Sequence, residues 1–391
     1  MKRALRSGVG NKHNNSKCQA IIWVFGLTIA LQRKHLCLRE DKKFDSESGA
    51  VNNSKRILFL HTRKENTLSM KVIQVKSKKG GVGKSLYARE IALILAALGC
   101  SILLIDGSEQ ANDDILENQG RAYPYTLKEC LINGVSLSEA ACQVRKRLWL
   151  VVGTRDHEDI NEYIRKQRYP NIFKDMVEEL RATLVPAPAL GERFAWWNSA
   201  RVPFSIFHPE PTSAEEFVSP PPALDYVLID SDASTEDDLT FALWEAVDGI
   251  LVPYELTELD WQSYHQFKQD LEKRYRRRPQ QQPPLIGILP NKVLHTKDNP
   301  TPMVYLKTLF RDAEERVYRP THWSKVFGEC LNLHIGSLEH PSAATDRAIR
   351  ETCAIALEFI GYEGELVGLK ICEKCSEQVN LAMQEREEHA S

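Results

Sequence analysis

The sequence predicts an α/β fold: a mostly parallel, doubly wound sheet with helices on both faces and a helical C-terminal part. Three observations predict it. From Lys71 onward, short apolar runs alternate with helical stretches. Two of those runs, SILLID and YVLID, end in a carboxylate, Asp106 and Asp230. The first run leads through a glycine-rich loop directly into a helix. Strands that are apolar throughout are buried on both faces, and their alternation with helices builds parallel sheets.

In chain order, KVIQVKS at Lys71 is a strand and GKSLYAREIALILAALG a helix. SILLIDG is a buried strand ending in Asp106. TLKECLI and SLSEAACQV read as helices, LWLVVGT as a strand. DINEYIRKQRYPNIFKDMVEELRATL is helical with a break near Pro170, whose ring cannot continue a helix. DYVLIDSD is a buried strand ending in Asp230, DDLTFALWEAV a helix, GILVPYEL a strand, DWQSYHQFKQDLEKRYRRR a helix and PLIGILPNKV a strand. From Thr301 the chain reads mostly as helices. Between Val185 and Pro222, Pro186, Pro188, Pro203, Pro209, Pro211, Pro220, Pro221 and Pro222 interrupt the pattern, together with the pair Trp196–Trp197. This is a surface insertion between helix and strand. It reads either as a docking surface or as a loop packing its own tryptophans.

Residues 1–69 differ from the rest. Lys2, Arg3, Arg6, Lys12 and Lys17 precede the apolar run AIIWVFGLTIAL, Ala20 to Leu31. The run resembles a secretory leader but is short of the roughly twenty residues of a membrane span. No small-residue cleavage site follows it. The segment is expected to be an upstream extension, with Met70 as the working start; a disordered or membrane-touching extension is the alternative. The expected domain then covers 70–360, with 185–222 inserted and 361–391 as a helical or flexible tail.

With 391 residues and 42% hydrophobic content, the chain can bury a substantial core. Lys+Arg at 51 against Asp+Glu at 53 excludes a whole-chain basic field. Any nucleic-acid contact must come from a local patch. The nine Cys are scattered, which excludes a secreted disulfide framework and points to a reducing cytoplasm.

The chemistry concentrates in KKGGVGKS, Lys78 to Ser85. Gly80, Gly81 and Gly83 let consecutive N–H groups converge on phosphate oxygens, and the helix N-terminus adds its positive end. Lys84 supplies charge to the terminal phosphates, and Ser85 a hydroxyl to Mg²⁺. The candidate ATP-binding set is Lys79, Gly80, Gly81, Val82, Gly83, Lys84, Ser85, Leu86 and Asn291. The sheet is thereby expected to be that of a P-loop NTPase.

This loop resembles the deviant Walker A loop of the ParA/MinD ATPases, and the likeness runs from Lys71 to about Cys353. In that family the extra lysine, at Lys79 here, reaches across a dimer interface to the partner's nucleotide. The resemblance implies ATP and Mg²⁺ as cofactors, an ATP-dependent homodimer, and Lys79, Lys84 and Asp106 as the catalytic set. A lysine in trans would neutralise charge on the transferring phosphoryl group. SILLIDGSEQAN resembles the family's second strand and switch, with Asp106, Gln110 and Asn112 matching. Ser108 stands where the family has a second Asp, and Glu109 where it has Pro. Glu109 or Asp232 could substitute, and slow, partner-stimulated hydrolysis is the expectation. DYVLIDSD resembles the Walker B strand, which makes Asp230 a Mg²⁺ ligand with Ser85. Asp232, where the family often has Pro, reads as a turn residue or a functional one. Asn291 reads as a contact to the adenine edge or as a turn residue.

The MinD branch ends in a basic amphipathic membrane helix, whereas this chain ends CSEQVNLAMQEREEHAS, which is acidic; no membrane partner is expected. The ParA branch binds DNA backbone. Lys273, Arg274, Arg276, Arg277 and Arg278, around Tyr275, supply a patch for it. The alternative is a solvated helix C-terminus favoured by the helix dipole. Arg347 and Arg350 are weaker candidates. CEKC, Cys372 to Cys375, has no second ligand pair nearby and reads as two cysteines on one helical face. The whole implies a ParA-like ATPase whose dimer binds DNA non-specifically and partitions or positions a plasmid or chromosome at the nucleoid, with a ParB-like or relaxosome partner. LTELD and the irregular switch also resemble VirC-type conjugation accessory ATPases. A non-hydrolysing, ATP-dependent binding switch is the remaining alternative.

Overall fold

The structure, a computed structural model, describes residues 67–68, 70–109, 123–207, 221–293, 300–369 and 372–390. Its centre is a seven-stranded sheet. The strands are β1 (Lys71–Val75), β2 (Ile102–Gly107), β3 (Cys142–Arg145), β4 (Leu148–Val151), β5 (Tyr226–Ser231), β6 (Gly249–Glu255) and β7 (Leu285–Asn291). Across the sheet they run β7-β6-β1-β5-β2-β4-β3. All neighbours are parallel except the edge pair β3 and β4. β2 and β5 are buried along their whole length, as their unbroken Ile, Leu and Val runs require.

Helix α1 (Lys84–Ala97) follows β1 and is apolar nearly all round, because it lies between the sheet and later C-terminal helices. The remaining helices are α2 (Leu127–Asn133), α3 (Leu137–Ala140), α4 (His157–Gln167), α5 (Ile172–Thr183), α6 (Leu190–Arg193), α7 (Asp238–Ala246), α8 (Glu258–Tyr275), α9 (Thr301–Asp312), α10 (Val326–Leu333), α11 (Arg347–Phe359) and α12 (Glu373–Ala390). One cluster of apolar side chains fills each face of the sheet, so the fold is the doubly wound one expected.

One local expectation changes. SLSEAACQV is not one helix. α3 is closed at its start by the reciprocal Ser136–Glu139 capping box, stops at Ala140, and Cys142 begins β3. Arg147, at a φ of 62°, turns the chain back so that Gln143 pairs with Trp149. A two-residue turn through a left-handed arginine carries no glycine or asparagine signal. The insertion, in its described part, packs its own aromatics. Phe194 stacks on Trp196 at 5.0 Å, and both tryptophans lie edge-on to Tyr362. The Tyr362 hydroxyl donates to the Ser199 carbonyl at 2.6 Å. Arg201–Val202 pairs in parallel with Glu365–Leu366, which fastens the insertion to the chain after α11. Upstream, Thr67–Leu68 pairs with Ala187–Pro188. Residues 1–66 and 208–220 lie outside the described residues. α12 packs along α9 and adds an ion pair between Lys307 and Glu385.

Candidate functional site: a phosphate loop beside two carboxylate strands

The loop between β1 and α1 is held in place by the end of β7. Asn291 Nδ2 donates to the Val82 carbonyl at 2.9 Å, and Lys292 Nζ to that of Gly81 at 2.6 Å. Gly83 has a φ of 96°, and a Cβ there would lie 2.5 Å from Asn291 Nδ2. Only glycine meets both conditions. The amide oxygen of Asn291 accepts the Lys292 N–H at 2.7 Å. The amide is therefore committed at both ends, its nitrogen to the loop and its oxygen to the next residue, at the rim of a groove of about 440 Å³ that Leu86, Trp323 and Phe327 also line. Lys84 Nζ donates to the Lys79 carbonyl at 2.9 Å. Burial lowers its affinity for a proton, and Asp230 and Asp232 oppose that.

β2 and β5 run in register and set Asp106 beside Asp230 at the carboxyl edge of the sheet. Both side chains are fully buried. Burial pushes the Asp230 carboxyl up to about 7; the Ser85 hydroxyl beside it pulls the other way and the charge of Asp106 adds to the rise. Asp230 Oδ1 accepts the Ser231 N–H at 2.8 Å, but its buried Oδ2 accepts no hydrogen bond. A buried carboxylate oxygen without a donor is costly unless a cation faces it. With the Ser85 hydroxyl alongside, the donor set is hard oxygen, which suits Mg²⁺.

Asp106 Oδ1 accepts both the N–H of Ser108 at 2.9 Å and its hydroxyl at 2.6 Å. Ser108, where a second acid was looked for, thus caps Asp106. A Cβ on Gly153 would lie 2.9 Å from the Asp106 carboxyl carbon, so the loop after β4 closes over this acid only as glycine. Asp232 Oδ2 accepts the Glu109 N–H at 2.7 Å and lies 3.3 Å from His157 Nδ1. Gln110 and Asn112 lie outside the described residues.

Lys79 is turned onto its own chain. Its Nζ lies 2.5 Å from Asp260 Oδ2 and 3.6 Å from Glu255 Oε2. Asp260 is buried in the first turn of α8, where Thr257 caps the helix and donates its hydroxyl to the same oxygen at 2.6 Å. Partial burial disfavours the Lys79 charge, but the hydrogen bond and charge of Asp260, then Glu255, hold its ammonium above the usual range. Lys78 pairs with Asp270 further along α8 at 2.6 Å.

Sequence reasoning missed Lys76, His157, Asp260 and Lys292. Lys76 is fully buried; its Nζ donates to the Asp232 carbonyl at 2.6 Å and to Thr240 Oγ1 at 3.2 Å. Burial brings it down to about 8, against the pull of Asp237 and Asp232. Its signal was present as one more lysine in KSKK; His157 and Asp260 had none.

The cationic stretch at the end of α8 divides. Arg274 lies 3.9 Å over the Phe241 ring, and Arg278 pairs with Glu245 and lies over Tyr275. Lys273, Arg276 and Arg277 are exposed and have no ion pair among the described residues. Arg347 pairs with Glu351 at 2.9 Å, and Arg350 donates to the Ala344 and Val367 carbonyls, so both brace α11 rather than face outward as a basic patch. Cys372 and Cys375 stand on one side of the start of α12. Cys372 precedes α12, Cys375 lies in its first turn, and His322 joins them. Among the described residues no helix is long and apolar enough to cross a membrane.

A protein-family model described as an AAA domain matches residues 70–183. A sequence search of curated proteins finds no match. Among solved structures, the ATP complex of a McdA variant from Cyanothece is 17% identical with a TM-score of 0.54, over 75% of this chain and 97% of that one. A putative plasmid partition protein from Borrelia burgdorferi bound to AMPPNP is 17% identical with a TM-score of 0.52, over 74% and 98%. Cobyrinic acid a,c-diamide synthase from Mycobacterium smegmatis is 15% identical with a TM-score of 0.52, over 77% and 100%. At such identities the shared feature is the fold. Residues 70–183, which carry the two-lysine loop and the strand ending in Asp106, thus match an AAA-domain family model, and the sheet shares its fold with these three structures.

Proposed function

We propose that the chain is a ParA-like ATPase whose ATP- and Mg²⁺-bound form pairs with a second copy and binds DNA without sequence preference. It would thereby partition or position a plasmid or chromosome, with a ParB-like or relaxosome partner. The observation that carries the reading is the loop Lys78–Ser85, with Lys84 against it and the donorless Asp230 Oδ2 beside Ser85. Backbone N–H groups from Gly80 to Ser85 cradle the phosphates. Lys84 exchanges the Lys79 carbonyl for phosphate oxygens. Ser85 and Asp230 hold Mg²⁺, which when bound neutralises charge on the phosphates. The apolar groove of Leu86, Trp323 and Phe327 takes the base. Lys79 leaves Asp260 and Glu255 to reach the partner's nucleotide, so pairing of subunits requires an exchange of partners at this residue. Asp106 aligns the attacking water, and Asp232 is the second acid near it. Lys273, Arg276 and Arg277 contact DNA phosphates from the far end of α8.

The test is a titration with a fluorescent ATP analogue, followed by light scattering and DNA binding with and without ATP. Tight nucleotide binding, an ATP-dependent doubling of mass and an ATP-dependent gain in DNA affinity support the reading; a monomer with ATP-independent DNA affinity overturns it. The capping of Asp106 by Ser108 favours a second reading, a binding switch that does not turn over. Phosphate release no higher than that of Lys84→Ala, with DNA and partner present, would select it.

A further inference from the structure

Far from the phosphate loop in sequence, three soft ligands converge. The segment Arg316–Trp323 runs alongside β7: Thr321 N–H donates to the Pro290 carbonyl at 2.8 Å, and Val293 N–H to the Thr321 carbonyl at 3.1 Å. This fixes His322, whose N–H donates to Glu351 Oε2 at 2.8 Å. Its ring Nδ1 lies 2.8 and 3.0 Å from the two Glu351 oxygens. At the start of α12, Cys372 Sγ accepts the Cys375 N–H at 3.4 Å, and the Cys372 carbonyl accepts both the N–H and the hydroxyl of Ser376. That turn aims both thiols one way. A ring nitrogen of His322 and the sulfurs of Cys372 and Cys375 all lie within 4.8 Å of one another.

We propose that His322, Cys372 and Cys375 bind a zinc ion, with a water molecule in the fourth position. Ligand atoms about 2.0–2.3 Å from a tetrahedral zinc stand roughly 3.5–3.8 Å apart. Small side-chain rotations bring these three to that spacing. Thiolate and imidazole are the donors zinc prefers over magnesium or calcium. A zinc-bound imidazole characteristically gives its other nitrogen to a carboxylate, and Glu351 is that carboxylate. Charge also balances: zinc with two thiolates is neutral, and Glu351 is neutralised by Arg347 at 2.9 Å. Binding displaces the two thiol protons to solvent. The ion would pin the first turn of α12 to the strip ending at Trp323, one wall of the groove beside Asn291.

The experiment is metal analysis of the full chain purified under reducing conditions, with cobalt as a spectroscopic probe. The expected result is about one zinc per chain, unchanged in Lys84→Ala and lost in Cys372→Ser and Cys375→Ser. Cobalt should show thiolate charge transfer and the intense visible bands of a tetrahedral ion. Glu351→Gln should weaken zinc binding about 10- to 100-fold. The cobalt spectrum is read on the unaltered chain, so a variant that fails to fold does not decide the matter. An unaltered, reduced chain that takes up neither zinc nor cobalt overturns the proposal. So does a Cys372–Cys375 disulfide that, once reduced, still binds no metal.

Discussion

Two lysine- and arginine-rich regions look alike on paper and behave differently in the fold. In the phosphate loop the cations are committed: Lys78 to Asp270, Lys79 to Asp260 and Glu255, Lys76 to the Asp232 carbonyl and Thr240. At the end of α8, Lys273, Arg276 and Arg277 are exposed and have no ion pair among the described residues, whereas Arg274 and Arg278 are tied down by Phe241 and Glu245. The difference shows that a cation's role follows from the groups its neighbours bring to it. A carboxylate buried at the start of α8, with others from the same helix and from the end of β6, holds the loop lysines in one geometry, whereas a helix end facing water leaves its charges available for a polyanion.

The comparison can be broken most sharply at Lys84. Lys84→Ala should reduce phosphate release by about 100- to 1,000-fold, the usual loss for one preorganised donor to a transferring group. A smaller change would place the catalytic charge elsewhere, and a stopped assay of phosphate release checks it.

Lys76 tests burial. Below about pH 8 the ammonium is charged in both states and the full expense of burying it stands. Between about 8 and 10.5 the folded chain releases the proton while the unfolded chain keeps it, so stability rises with pH. The rise amounts to about 3 kcal/mol across that window. Urea denaturation of Lys76→Met should lack this rise relative to the unaltered chain.

Lys79 tests commitment. Asp260→Asn weakens its tether and should strengthen ATP-dependent dimerisation about fivefold, in line with roughly 1 kcal/mol for a partly exposed pair. Light scattering against concentration reads it, and a weakened dimer would mean that Asp260 serves the paired state instead.

The smallest effects separate the two kinds of cation on α8. Arg276→Ala with Arg277→Ala should reduce the salt slope of DNA binding by about 2, one per phosphate contact, without altering stability. Arg274→Ala should leave that slope unchanged and lower stability by about 0.5–1 kcal/mol through the lost ring contact.

Much of the fold was readable because its signals are local. Unbroken Ile, Leu and Val runs ending in Asp106 and Asp230 mark buried parallel strands, and KGGVGKS between strand and helix marks a phosphate loop. β3 was misread because a hairpin turning at Arg147 leaves no glycine behind. The site was half readable. Lys84, Ser85 and Asp230 carry a motif signal as candidates, while Asp260 carries none, since it meets Lys79 from 181 positions away. Cys372 and Cys375 lacked further ligands in their own neighbourhood, and His322 came to them only through the strip along β7.

What residue order alone established, then, is the phosphate loop, the parallel sheet and the pair of carboxylates at its edge. Each depends on residues close together in the chain, where backbone conformation and hydrophobic pattern act directly. Packing decided the rest: which acid restrains Lys79, that Ser108 caps Asp106, which arginines face water, and that a histidine stands beside two cysteines. These depend on distances between remote segments, and such distances exist only once the layers have closed on one another.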